Sequence, residues 1–158
     1  MTRHLLLAVP AALLLAPRSA DAKDLRGRFG MGFNNQFGHV SALSVRYALP
    51  TPDPVINVQV EGNFGLDTQT DAVFSGGRLL YGVIAEDNMS VFAGGGIGVL
   101  SDGGESSLRL APTMGADFFL FGLDNLGFTV EWGLNLDVSG NSGAATTAAM
   151  GAGAHYWF

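Results

Sequence analysis

The sequence predicts an all-β chain of eight antiparallel strands, joined as an up-and-down meander and closed into a barrel. Three observations predict it. Apolar and polar residues alternate with a period of two through most of the chain after Gly27, and no window carries a helical stripe. Turn signals separate the alternating segments at short intervals, as in Pro50-Thr51-Pro52-Asp53-Pro54 and Glu86-Asp87-Asn88. The last stretch, 145–158, alternates as well: Phe158, Tyr156, Ala154, Ala152, Met150 and Ala148 share one parity, and Trp157, His155, Gly153, Gly151 and Ala149 the other.

In chain order, the first strand is expected over 27–34, where Phe29, Met31 and Phe33 oppose Arg28, Gly30 and Gly32. The second covers 40–49, with Leu43, Val45, Tyr47 and Leu49 against Ser44 and Arg46. The proline cluster then ends the ladder, because proline donates no hydrogen bond. The third, 55–66, has the cleanest alternation: Ile56, Val58, Val60 and Phe64 against Asn57, Gln59, Glu61 and Asn63. The fourth covers 73–85, with Leu79, Tyr81 and Val83 opposite Arg78 and a candidate bulge between Phe74 and Gly77. The fifth, 89–100, carries Val91, Ala93, Ile97 and Val99, and its Gly94-Gly95-Gly96 run suggests tight curvature. The sixth, 107–121, sets Leu108, Leu110, Met114, Phe118 and Leu120 against Arg109, Thr113 and Asp117, with a bulge expected at Pro112. The seventh, 126–138, sets Phe128, Val130, Trp132, Leu134 and Leu136 against Thr129, Glu131, Asn135 and Asp137. The terminal stretch supplies the eighth.

Residues 1–22 read as a cleaved signal peptide. Arg3 precedes the apolar run from Leu5 to Ala16, and Ala20-Asp21-Ala22 is a small-x-small cleavage site. The run is shorter than the ~20 residues of a spanning helix. Residues 23–158 then form one barrel domain. The chain has no cysteine, which excludes a disulfide framework and a cysteine-based metal site. Its formal charge of −6 argues against nucleic acid as a partner.

Alternation alone does not say which face is outside, since a soluble lipocalin-like barrel carries its apolar face inward. The polar face decides. A soluble exterior is densely charged, yet only 14% of residues are charged and the one lysine, Lys23, precedes the strands. The polar face is mostly Gly, Ala, Ser, Thr and Asn. Its charges are balanced, with Arg28, Arg46, Arg78 and Arg109 against Glu61, Asp117, Glu131 and Asp137. Such a set suits a closed lumen, where buried ions must be paired. His155 shares that parity. The barrel is therefore expected to be transmembrane, with its apolar face toward lipid. Phe29, Tyr47, Tyr81, Phe128, Tyr156 and Phe158 fall near the strand ends shared with the termini, and Phe33, Phe64 and Trp132 toward the other ends, as two interfacial belts.

A closing strand that ends on an aromatic, here through Tyr156 and Phe158, resembles that of bacterial outer-membrane barrels. With the eight-strand pattern, the chain resembles the small OmpA-like and OmpX-like family. The resemblance implies an integral outer-membrane barrel among outer-membrane lipids, exported and inserted by barrel-assembly machinery that reads Tyr156 and Phe158. It departs from the family in its short outer loops.

No residues point to a cofactor or a resident metal. His39-Val40-Ser41 resembles the His-x-Ser of barrel lipid A deacylases, but no acid can be assigned to orient the histidine. Gly94 to Gly98 opens no helix and makes no nucleotide loop. Asp67, Asp71, Asp102 and Glu105 on the outer loops could bind a divalent cation weakly or form a solvated rim. The expected function is structural, a barrel with an ion-paired, largely closed lumen and no enzymatic role. The alternatives are a narrow pore for small solutes, which the glycine-rich lumen of strands four, five and eight would accommodate, a lipid-modifying barrel enzyme, and a soluble periplasmic binder.

Overall fold

The structure, a computed structural model, describes residues 23–35, 40–53, 56–139 and 143–158. The strands run β1 (Phe29–Asn34), β2 (Ala42–Ala48), β3 (Val58–Asp67), β4 (Ala72–Glu86), β5 (Met89–Asp102), β6 (Glu105–Phe119), β7 (Leu126–Ser139) and β8 (Gly143–Trp157). Each pairs antiparallel with the next, and β1 pairs with β8 to close the barrel in sequence order. The all-β, eight-stranded meander is as the sequence predicts. The signal-peptide segment, His39 and the expected third-strand start at Val55 lie outside the described residues.

Strand limits shift where turn chemistry competes with alternation. Gly27 takes a positive φ of 72° and belongs to the turn before β1. Gly103 and Gly104, with φ of 57° and 87°, form a two-residue turn, so β5 and β6 extend to the pair Asp102↔Glu105 where a longer loop was expected. β1 and β2 have 6 and 7 residues while β4 to β8 have 14 or 15, so the wall is much taller on one side.

Two expected bulges are absent. Pairing of β4 with β5 is continuous from Val73 to Gly82, and the register shift falls between Gly82 and Ile84, which turns both Val83 and Ile84 outward. Pro112 keeps its place opposite Gly95, and the β6–β7 register is the same on either side of it. Proline there only removes rungs from one ladder, because its missing N–H does not change the residue count between strands.

The two faces separate sharply. Phe33, Phe64, Leu79 and Ile97 point outward and are 54–65% exposed, while Arg46, Glu61 and Glu131 point inward and are at most 1% exposed. Trp132 is outward but pairs with Met114 and Met150 halfway along β7, not in the belt expected at the strand end.

The inward face also holds apolar side chains that a polar-versus-apolar sorting of the strands passes over. Leu25, Ala48, Phe119 and Trp157 fill the end that carries the termini. Ala42, Phe74, Leu100 and Ala111 fill the lumen toward the other end. Glycines make room for the rings. A Cβ on Gly98 or Gly76 would come within 2.6–2.8 Å of Phe74, one on Gly115 within 2.8 Å of Phe92, and one on Gly30 within 3.1 Å of Trp157. The glycine space that left a pathway conceivable along β4 and β5 is thus occupied by Phe74, Leu80 and Phe92, all at most 2% exposed.

Candidate functional site: the lumen charge cluster

Between the two apolar layers lies a cluster of ions drawn from β2, β3, β4, β6 and β7. Antiparallel register sets its first contacts: Arg46 and Arg78 are the cross-strand partners of Glu61 on either side. Arg46 Nε donates to Glu61 Oε2 at 2.8 Å, and Arg78 donates to both Glu61 oxygens at 3.0 Å. The remaining arms cross the lumen. Arg78 donates to both Glu131 oxygens at 2.8 Å, and Arg46 Nη1 to Asp117 Oδ1 at 2.9 Å. The planar fork of arginine lets each one serve two carboxylates.

Neutral groups complete the coordination. Ser44 Oγ donates to Glu61 Oε1 at 2.7 Å and Thr129 Oγ1 to Asp117 Oδ1 at 2.5 Å. Asn34 Nδ2 also donates to Glu61. His155 Nε2 lies 2.8 Å from Ser44 Oγ. Since the serine's one proton goes to Glu61, Nε2 is the donor in that contact. Arg46 also lies over the Phe92 ring, 6.0 Å from its centroid. Arg109 and Asp137 form a separate two-bond pair at 2.6 and 2.7 Å, with the Asp137 side chain 21% exposed.

Of the nine residues expected in this network, the structure brings Arg46, Glu61, Arg78, Asp117, Glu131 and His155 together and places Arg109 and Asp137 nearby. Arg28 stands apart. It lies at the end that carries the termini and donates to Trp157 O at 2.9 Å, Asn125 Oδ1 at 2.7 Å and Phe158 O at 3.3 Å. Its position one residue before β1 puts it below the lumen. The expected balance of charges therefore changes: among the described residues the inward acids Glu61, Asp117, Glu131 and Asp137 outnumber Arg46, Arg78 and Arg109 by one.

Sequence reasoning missed Ser44 as the link between His155 and Glu61, and it missed the rings that seal the cluster. A signal for the rings was present, since Phe74 and Leu80 share the parity of Arg78. The arrangement binds charge to charge but presents no nucleophile to a cleft; Ser44 and His155 are 0% and 1% exposed. The outer-loop acids do not gather either. Among the described residues no group of three or more His, Asp or Glu side chains could hold a metal ion. Asp67 Oδ1 instead accepts from Gln69 N at 2.8 Å and caps its own loop. Tyr156 and Phe158 face outward, 47% and 66% exposed, with their rings edge to face at 5.1 Å.

No protein-family model matches the chain, and no curated protein matches it in sequence. Its fold does match. The N-terminal β-barrel domain of Pseudomonas aeruginosa OprF superposes with a TM-score of 0.56 at 12% identity, over 84% of this chain and 98% of that domain. Neisserial surface protein A follows at a TM-score of 0.49 and 13% identity, over 83% of this chain and 94% of that one. Ail, the attachment invasion locus protein of Yersinia pestis, gives 0.37 and 15%, over 84% of this chain and 99% of that one. The match to OprF, with the closed barrel and its inverted dressing of charges inside and apolar rings outside, identifies this chain's fold as that of the small eight-stranded bacterial outer-membrane barrels.

Proposed function

We propose that the protein is an exported, integral barrel of the bacterial outer membrane whose role is structural, with a lumen closed by its own ion pairs and rings. The observation that carries the reading is the inversion of its faces. Six of the seven inward charged residues are at most 5% exposed, while more than two dozen large apolar residues are exposed, most of them along the outer wall. In water that wall would be an aggregation surface; in lipid it is solvated, and each arginine moved there would cost roughly 2–4 kcal/mol at the midplane. Ten residues at ~3.3 Å and a tilt near 40° cover the ~25 Å apolar band, and β3 to β8 each have at least ten. The N-terminal β-barrel domain of OprF supports the reading by its fold. A chemical role gains no support from the buried Ser44 and His155.

The test is electrophoretic. The folded protein should stay compact in SDS and shift in mobility on boiling, and it should fractionate with the outer membrane. Its mature form should begin at Lys23, and removal of Phe158 should slow insertion in cells far more than refolding into vesicles. Recovery in the soluble periplasmic fraction without a heat shift would overturn the reading.

A narrow pore is the second reading. It is favoured by buried polar atoms without a protein partner, among them Arg46 Nη2, Asp117 Oδ2, Asn63 Nδ2 and His155 Nδ1, which are natural hosts for internal water. Planar-bilayer recording separates the two: the structural barrel conducts negligibly.

A further inference from the structure

We propose that the turn between β6 and β7, residues 120–125, is a second membrane contact: a rigid apolar tip that enters the headgroup–acyl boundary of the inner leaflet. The inference rests on the outer-membrane reading above: with eight strands both termini lie at one end, and an exported chain that inserts from the periplasm keeps that end, with this turn, on the periplasmic side.

Three turns lie at that end. The described part of the β2–β3 connection carries Thr51 and Asp53 together with Ile56, which is 37% exposed, and the β4–β5 turn is Asp87 and Asn88. The third carries Leu120, Phe121 and Leu123, which are 52%, 84% and 47% exposed. No other aromatic is as exposed as Phe121 among the described residues. A flexible turn could fold these side chains back onto the barrel. This one is held. Leu123 N donates to Leu120 O at 3.0 Å, Leu126 N to Leu123 O at 2.9 Å, and Trp157 N to Asn125 O at 2.7 Å. Gly122 supplies the positive φ of 81° that the bend requires. Arg28 clamps Asn125, and Lys23 lies 3.1 Å from Asp124.

The tip continues an apolar surface. Phe118 pairs with Phe128, and Leu126 with Tyr156, and the outward rings of Phe118, Phe128, Tyr156 and Phe158 run from the wall toward the turn. Asp124, whose side chain is 78% exposed, and Asn125 follow Leu123 in the turn, and with Lys23 they sit where headgroups and water would meet it. That profile, rings below a lipid band with polar atoms behind them, fits an interface. A protein partner fits less well, since three side chains fall far short of the roughly 800 Å² per partner that a stable interface buries.

The chain has no cysteine, so single-cysteine variants report position cleanly. Phe121→Cys, Asp87→Cys and Leu79→Cys are refolded into phosphatidylethanolamine–phosphatidylglycerol vesicles, with folding confirmed by the heat shift, and labelled with an environment-sensitive fluorophore. Shallow spin-labelled lipid should quench the label at position 121 several-fold more than that at 87, and aqueous cobalt should do the reverse. Equal access of cobalt to 121 and 87, with 79 still quenched by lipid, overturns the anchor and leaves the barrel standing. A label at 79 open to cobalt overturns both. Shielding at 121 that persists in detergent and rises with protein concentration assigns the tip to a second copy and overturns the anchor.

Discussion

Replacing Arg78 by Leu is the sharpest probe of the lumen. Arg78 makes four hydrogen bonds to two carboxylates. The two are not equally dependent on it. Glu61 keeps Arg46 Nε at 2.8 Å, Ser44 Oγ at 2.7 Å and Asn34. Glu131 keeps Thr113 Oγ1 at 3.4 Å. The substitution therefore strands one fully buried carboxylate, and the expected loss is about 3–5 kcal/mol, the range for removing one partner of a buried pair. Arg109→Leu is the internal control. Asp137 is 21% exposed and can recover water, so its loss should be about 1–2 kcal/mol. Urea unfolding of refolded protein in vesicles measures both. The double variant Arg78→Leu with Glu131→Leu should recover a large part of the single loss, because the stranded charge leaves with its partner. A loss for Arg78→Leu no larger than that for Arg109→Leu, or no recovery in the double variant, would refute the claim that the cluster is dry enough for pairing to matter.

Three further outcomes are expected. Glu131→Gln removes the surplus acid and keeps an acceptor for Arg78, so it should cost less than ~1.5 kcal/mol, whereas Glu61→Gln, which weakens bonds from both Arg46 and Arg78, should cost about 3 kcal/mol or more in the same titration. Gly32→Ala should disrupt closure, since its Cβ would lie 1.8 Å from Ala154 O across the β1–β8 seam, while Gly62→Ala, with nothing within 4 Å, should be neutral or stabilise by roughly 0.5–1 kcal/mol; heat-shift and urea midpoints would show both. At the base, the Arg26 guanidinium and backbone N–H beside Asp24 hold its carboxyl at about 2, below the usual 3.8. A depressed folded value contributes stability above the unfolded value and loses it as pH falls from about 3.8 through about 2, so wild type should lead Asp24→Asn slightly at pH 6 and have lost most of that lead at pH 2. The pair is exposed, and a lead above ~1 kcal/mol would contradict the assignment.

The fold was legible because a period of two is a local property. Each strand announces its faces, and Pro50, Asp87 and Gly122 announce where strands stop. The membership of the lumen was legible for the same reason, since parity puts Arg46, Glu61 and Glu131 on one side of the sheet. Partners were not, because register depends on turns that span several residues, and the crossing arms of Arg78 and Arg46 depend on barrel closure. Arg28 was misplaced through a strand start read two residues early. The bulge at Gly82 was hidden because Tyr81, Val83 and Ile84 are all apolar and fit either register.

The fit of ring into glycine along the lumen has a consequence for how such a chain can drift. Phe74 with Gly76 on its own strand and Gly98 on the next, Phe92 with Gly115, and Trp157 with Gly30 behave as single letters spelled by several residues. A glycine that gains a methyl while its ring remains meets an occupied space, and a ring that shrinks while its glycines remain leaves a hole next to buried ions. Neither half is free to change first. Relatives of this barrel should therefore keep or exchange these groups together, while the outward residues, which fill no enclosed space, wander more independently.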